Sequence, residues 1–284
     1  MEFSITLPPQ QATITIRELL EVQWLVPRKV RHFLRVRKFV WINGEVAMFH
    51  QEVNAGDTVT LRLEETDYSY QAVALGKKQN IVPLYEDEHL IIVNKPIGVK
   101  THPNQPDETD TLLNDLTAYL ADKDQRPYVV HRLDKETSGV ILFAKNPLVL
   151  PILGRLLEQK QIYRRYQAIV HGKLSKDVTI RKKIGRHRHD RRKRVVDERN
   201  GQTAITHVTV HQATPKTSQV YCILETGRTH QIRVHLESIG HPIVGDPLYQ
   251  NKPAKRLCLH ASDMYLTHPF SQETLTVQAE PGLW

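Results

Sequence analysis

The chain is poor in cysteine: Cys222 and Cys258 are its only two. Two thiols cannot build the several cross-links of a small secreted scaffold or the four-ligand set of a zinc ribbon. Long apolar runs are missing as well. None approaches the ~20 residues needed to cross a bilayer as a helix. The start, Met1-Glu2-Phe3-Ser4-Ile5-Thr6-Leu7-Pro8-Pro9, lacks the basic residues and apolar stretch of a secretion signal. A soluble protein in a reducing, cytoplasmic compartment, without membrane contact, is the expectation. No Gly-x-Gly-x-x-Gly follows an apolar run and no Walker loop occurs, which disfavours a doubly wound nucleotide fold. Internal repeats and low-complexity tracts are also lacking.

Length and charge are what the chain does offer. With 284 residues and 40% hydrophobic content, it can bury a sizeable core and form two domains. Thirty-nine Lys and Arg face 31 Asp and Glu, a formal charge of +8. That balance suits a polyanion, because each phosphate neutralised by Lys or Arg releases counterions. Fifteen histidines raise the question of a metal. His187 and His189 lie in a stretch too basic to attract a dication, and His230 with His235 has a spacing that no standard zinc helix uses. No metal is expected.

Residues 1–66 read as a separate unit. Ile16, Leu19 and Leu20 have helical spacing over Thr15 to Trp24, with Thr15 as N-cap and Glu18 three residues on. Pro27 ends that helix and opens a second, Arg28 to Arg37. Asn43-Gly44 signals a hairpin, and Gly56-Asp57 a turn before the alternating strand Thr58 to Leu63. The second helix carries Arg28, Lys29, Arg31, Arg35 and Arg37, with Lys38 at its end, and no acid. Like charges at i,i+4 repel, so phosphate binding by this face is the natural use. Residues 67–82 are polar and read as a linker. Residues 83–284 form the larger domain, with amphipathic helices over Thr109 to Leu120 and Pro147 to Lys160 and strand-rich segments from Tyr166 onward. Arg181 to Arg199 holds ten Lys or Arg and reads as a hairpin or loop reaching outward to nucleic acid.

Val129-Val130-His131-Arg132-Leu133-Asp134-Lys135-Glu136-Thr137-Ser138-Gly139-Val140-Ile141-Leu142-Phe143 is the most telling stretch. Asp134 stands at the apex of a polar turn between two apolar, β-rich runs, with Thr-Ser-Gly supplying turn chemistry. Shielding makes an ionised carboxylate costly unless a cation or donors meet it. An Asp in a turn often bonds only its own backbone, so this position alone does not decide its use.

The segment His131 to Gly139 resembles the signature of the RluA-like family of RNA pseudouridine synthases. Tyr163-Arg164-Arg165-Tyr166-Gln167-Ala168-Ile169-Val170-His171-Gly172 is similar to that family's tyrosine motif. Glu225 to Leu236 with Gly240 to Asp246 is similar to its basic motif. The three come in the family's order, and the likeness covers roughly 83–282. More loosely, residues 1–66 resemble the S-four-like RNA-binding domain, named after a ribosomal protein.

The resemblance implies an α+β protein, with a mixed, largely antiparallel catalytic sheet and a small N-terminal α+β RNA-binding domain. It implies an isomerase that converts uridine to pseudouridine in structured RNA, ribosomal RNA before transfer RNA, without a cofactor and as a monomer. Asp134 falls on the catalytic aspartate, acting as nucleophile or base. Arg233 falls on the basic residue beside it, in an alternating strand or a strand-to-helix junction shared with Gln231. Tyr166 falls on the active-site tyrosine, whose ring can stack on the base and whose hydroxyl can serve proton exchange. Arg132 is placed to fill the space left by the flipped base, Arg228 to touch RNA or the rim, and His131 to order the turn. A non-catalytic RNA binder and a glycosidase using Asp134 and Glu136 are the competing readings. The second is disfavoured because carboxyls two apart on one turn seldom reach the facing arrangement of retaining enzymes.

Overall fold

The computed structural model describes residues 1–250, 252 and 254–284. Near the N-terminus Thr15 forms the expected capping box with Glu18, each backbone N–H donating to the other's side chain. Helix α1, Ile16–Glu18, then widens into a π-helical turn, Leu19–Gln23, instead of continuing as an α-helix. The wider turn lets the Trp24 N–H donate to the Leu19 carbonyl at 2.8 Å, with Leu19, Leu20 and Trp24 all buried. Pro27 caps α2, Arg28–Arg37, and Lys38 ends it in the left-handed region at φ 57°. Asn43 and Gly44, at φ 51° and 88°, make the tight turn between β3, Val40–Ile42, and β4, Glu45–Val46. With β1, Glu2–Thr6, and β6, Thr58–Arg62, these give a four-stranded sheet in the order β1-β6-β3-β4. Strands β2, Ile14–Thr15, and β5, Glu52–Val53, pair separately.

The larger sheet comprises β7 (Pro83–Glu86), β8 (Leu90–Lys95), β9 (Tyr128–Val129), β10 (Ser138–Ala144), β11 (Tyr163–His171) and β12 (Val178–Arg181). After the small hairpin β13 (Ile184–Arg186) and β14 (Arg194–Val196), it is completed by β15 (Ile205–Ala213), β16 (Thr217–Leu224), β17 (Leu259–Thr267) and β18 (Thr274–Gln278). Its order is β12-β15-β16-β11-β17-β10-β8-β7, with β18 on β17 and β9 on β10. Every pair is antiparallel except β10 with β17. The architecture is therefore α+β with a mixed, largely antiparallel sheet.

Period-two alternation divides the core. Leu90, Ile92, Val140 and Leu142 face helix α4, Val149–Glu158, and the N-terminal residues, where Trp24 meets Phe270 edge-on at 5.0 Å. Ile91, Val93, Ile141 and Phe143 face the other way, with Leu112, Leu116 and Leu120 of α3, Leu112–Ala121, and with Ile232 and Leu236. Residues 67–82, expected as a linker, lie along α3. There the Gly76 and Lys77 N–H groups donate to the Asn114 carbonyl (2.9 Å) and the Asp115 carboxylate (2.7 Å).

Ser138 and Gly139 open β10 rather than making a turn. Gly139 has φ 113°, and a Cβ there would lie 2.1 Å from the Ala261 carbonyl oxygen across the parallel contact. The glycine thus permits the one parallel approach in the sheet. Gly139→Ala is expected to cost about 2–4 kcal/mol in urea unfolding, from overpacking and left-handed strain together.

Candidate active site

The loop 130–137 joins β9 to β10 and carries Asp134. Inside it the Thr137 N–H donates to the Asp134 carbonyl at 3.1 Å. Thr101 Oγ1 accepts from the Leu133 N–H (3.1 Å) and donates to the Leu133 carbonyl (2.8 Å). The fully buried Lys95 ammonium donates to the carbonyls of Pro96, Val99 and Lys135, at 2.9, 2.7 and 3.1 Å, using all three of its protons. His131 Nε2 accepts from the Leu142 N–H at 3.1 Å, and burial pushes His131 down to about 3, so the ring is neutral. The loop is therefore held from below by a threonine, a lysine and a histidine.

Asp134 faces a cavity of about 220 Å³ whose lining includes Arg132, Arg164, Tyr166, Arg228, His230 and Arg233. Its side chain is 19% exposed, enough to reach a ligand while shielded from bulk water. Arg233 Nη1 lies 3.3 Å from Asp134 Oδ2. The arginine's other edge forks onto Asp246, Nε to Oδ2 at 2.8 Å and Nη2 to Oδ1 at 2.7 Å. Arg233 and Asp246 are both buried. Burial alone would favour a neutral guanidine, but Asp246 and Asp134 outweigh it and hold Arg233 above its ordinary range. One planar cation thus joins two carboxylates.

Arg233 lies in the first turn of helix α5, Gln231–Glu237, so of the two expected settings the alternating strand does not occur and the pair stands at a helix start. The two side chains diverge. Gln231 donates to the Ile205 carbonyl (2.9 Å) and Thr206 hydroxyl (3.0 Å), tying the helix start to β15, while Arg233 turns to the carboxylates. Tyr166 comes from β11 beside a register shift between Arg165 and Tyr166, a device that re-aims side chains at sheet sites. Its ring is buried, and that burial pushes the phenol up, leaving it protonated. Arg132 is exposed at the cavity mouth. Arg228 is exposed too and donates through Nε to the Thr203 carbonyl at 3.1 Å.

The α2 cations do not line this cavity, and they are not equivalent. Arg31 pairs with Glu21 and donates to the Val26 carbonyl, while Arg37 pairs with Asp67 at 2.7 Å and Glu64 at 3.3 Å. These acids lie outside the helix, where the run of like charges in the sequence could not reveal them. Arg28, Lys29, Arg35 and Lys38 are exposed and make no ion pair among the described residues. Four residues of the site lay outside the sequence expectations: Asp246, His230, Tyr249 and Arg164. For Asp246 a signal existed, since a Gly-Asp step can bury a carboxylate where only glycine fits. A Cβ on Gly245 would sit 1.8 Å from the Arg256 carbonyl oxygen.

A mixed, largely antiparallel sheet that brings an acid, a buried arginine and a buried tyrosine to one basic cavity is the arrangement expected of an RNA pseudouridine synthase. The comparisons agree. Residues 89–238 match the family described as RNA pseudouridylate synthase, and residues 3–59 match the RluD ribosomal pseudouridine synthase N-terminal domain. The uncharacterized RNA pseudouridine synthase YhcT of Bacillus subtilis is 43% identical over 84% of this chain and 80% of its own. The ribosomal large subunit pseudouridine synthase D of Nitrosomonas europaea is 38% identical over 95% of this chain and 82% of its own. Human RNA pseudouridylate synthase domain containing 1 superposes with a TM-score of 0.61 at 27% identity, covering 73% of this chain and 86% of that one. The chain belongs to the RNA pseudouridine synthase family, of the RluA-like type, and isomerises uridine to pseudouridine in RNA. No helix among the described residues is long and apolar enough to cross a membrane.

Proposed function

We propose that Asp134 is the catalytic group of a ribosomal RNA pseudouridine synthase, with Arg233 keeping it charged and Tyr166 facing the everted base. The observation that carries this reading is the 3.3 Å contact between Arg233 and Asp134 at the cavity wall. Breaking and remaking the glycosidic bond needs an ionised carboxylate near sugar and base, as nucleophile or proton acceptor. A guanidinium supplies the countercharge and remains protonated in a dry site, which a lysine does less reliably. The reaction balances bonds broken against bonds formed, so these side chains suffice without a cofactor.

Arg132, unpaired among the described residues at the cavity mouth, can stack in the gap left by the flipped uridine, and Arg228 can meet the neighbouring backbone. Ribosomal RNA is favoured because similar proteins carry that target in their names, and a ribosomal target supports a cytoplasmic location. The protein is taken to act as a monomer. Residues 1–66 serve as an RNA-binding domain, joined through 67–82 to the catalytic domain, 83–284.

Mapping pseudouridine in total RNA from cells with and without the gene identifies the target; loss confined to transfer RNA would overturn the ribosomal assignment. Of the six basic residues proposed for α2, Arg28, Lys29, Arg35 and Lys38 carry the phosphate contacts most directly, with Arg31 and Arg37 also engaged by acids. Replacing Arg28, Arg35 and Lys38 by Gln is expected to weaken RNA binding and flatten its salt dependence by about three charges' worth, sparing turnover at saturation. Salt titrations of binding check the slope, and an unchanged slope would remove the helix from the interface.

A further inference from the structure

The cavity contains a histidine that the reading above leaves without a task. His230 stands immediately before α5 with φ 56° and ψ 21°, a left-handed conformation that costs a non-glycine residue about 1–2 kcal/mol. Its Nε2 lies 3.7 Å from Asp134 Oδ2, the oxygen that also meets Arg233. Its Nδ1 lies 2.9 Å from the Tyr249 hydroxyl. That hydroxyl accepts from the Arg194 backbone N–H, at 2.8 Å, on the basic β13–β14 hairpin.

These contacts fix the protons. The Tyr249 proton has one acceptor among the described residues, His230 Nδ1. If Nδ1 carried the hydrogen instead, the phenol proton would lose its one acceptor among the described residues at this half-buried position. Nδ1 is therefore the acceptor, and a neutral ring then bears its hydrogen on Nε2, pointing at Asp134. Burial lowers His230 and pushes Tyr249 up to about 12, in keeping with a neutral imidazole and an intact phenol. At 3.7 Å the Nε2–H is too far for a hydrogen bond but near enough for its dipole to favour the charged carboxylate.

We propose that His230 is a positioning residue for Asp134, with its tautomer set by Tyr249 and the hairpin backbone. With the Arg233 hydrogen bond and the His230 N–H dipole both directed at Oδ2, the carboxylate is oriented with Oδ1, which has no protein partner among the described residues, turned to the substrate. The basic segment 181–199, with its ten Lys or Arg, is thereby linked to the Asp134 carboxylate through one N–H, one hydroxyl and one ring. This rests on the assignment of Asp134 as the catalytic group.

The test uses the full chain and an RNA fragment that it modifies. Tyr249→Phe retains the ring that stacks under the Arg233 guanidinium at 5.1 Å and removes only the hydroxyl. His230→Asn tolerates the left-handed backbone and loses the reach. Single-turnover rates at saturating enzyme are expected to fall about tenfold in Y249F and about a hundredfold in H230N, with RNA affinity unchanged. The double variant is expected to be no slower than H230N, because the tyrosine acts only through the histidine. Nitrogen-15 spectra of labelled histidine should show the Nε2–H tautomer of His230 in the wild type and its loss in Y249F, a readout that does not depend on rate. Wild-type turnover in Y249F, additive losses, or an Nδ1–H tautomer in the native enzyme would each overturn the proposal. Failure of the Asp134 assignment is distinct: it shows as residual turnover in Asp134→Asn, whatever His230 does.

Discussion

Asp134→Asn is expected to reduce pseudouridine formation to background while RNA binding stays within about twofold of wild type. An amide retains the shape but carries no charge, so it can neither attack nor accept a proton. It also leaves Arg233 with Asp246 as its countercharge, through the two short contacts at 2.8 and 2.7 Å, so the fold should hold. A loss of several orders of magnitude in single-turnover rate fits a nucleophile or general base, which general acid–base catalysis alone brings to about 10²–10⁴. Nucleoside analysis after incubation with RNA checks it. Pseudouridine at the wild-type level would show that another group does the chemistry.

The second large effect falls on stability. Asp246→Ala removes the fully buried carboxylate that takes the Nε and Nη2 edge of Arg233. The guanidinium is then left desolvated with only the 3.3 Å contact to Asp134. Breaking one side of a buried ion pair costs about 3–5 kcal/mol, and a denaturant midpoint is expected to fall accordingly. Asp246 also accepts from the Leu248 and Tyr249 N–H groups at 2.9 and 3.2 Å, so its loss frees the segment that carries Tyr249. Turnover should drop with stability, in contrast to Asp134→Asn, which separates chemistry from folding. An Asp246→Ala protein with native stability would show that Arg233 finds its charge balance elsewhere.

The triple proposed as catalytic, Asp134, Tyr166 and Arg233, is legible in the sequence because each sits in a run whose order resembles a known family. The structure brings all three to one cavity. Local signals were equally readable where the physics is local. Thr15 with Glu18, Pro27 before Arg28, and Asn43-Gly44 each fix their own backbone. Three features depended on contacts that no single segment contains. Gly139 was expected to serve a turn, but its reason is the Ala261 carbonyl 122 residues away in the chain. The acids that engage Arg31 and Arg37 come from Glu21, Glu64 and Asp67, outside the helix. In the sequence His230 reads only as a candidate metal ligand, since its partners Tyr249 and Arg194 belong to a separate loop and hairpin.

The packing of Trp24 against Phe270 has a mechanical consequence. Leu25 accepts from Arg155, and Gln10 and Gln11 meet Ser271 and Gln272, so the front of the chain is seated on the back of the sheet at several points. A lever so seated cannot swing freely on a tether. For an RNA gripped at α2, the span to Asp134 becomes a fixed length, and a uridine presented at another distance from that grip would miss the carboxylate. With RNA held at α2 as proposed, the stiffness of this joint would take part in target choice beside the letters of the RNA.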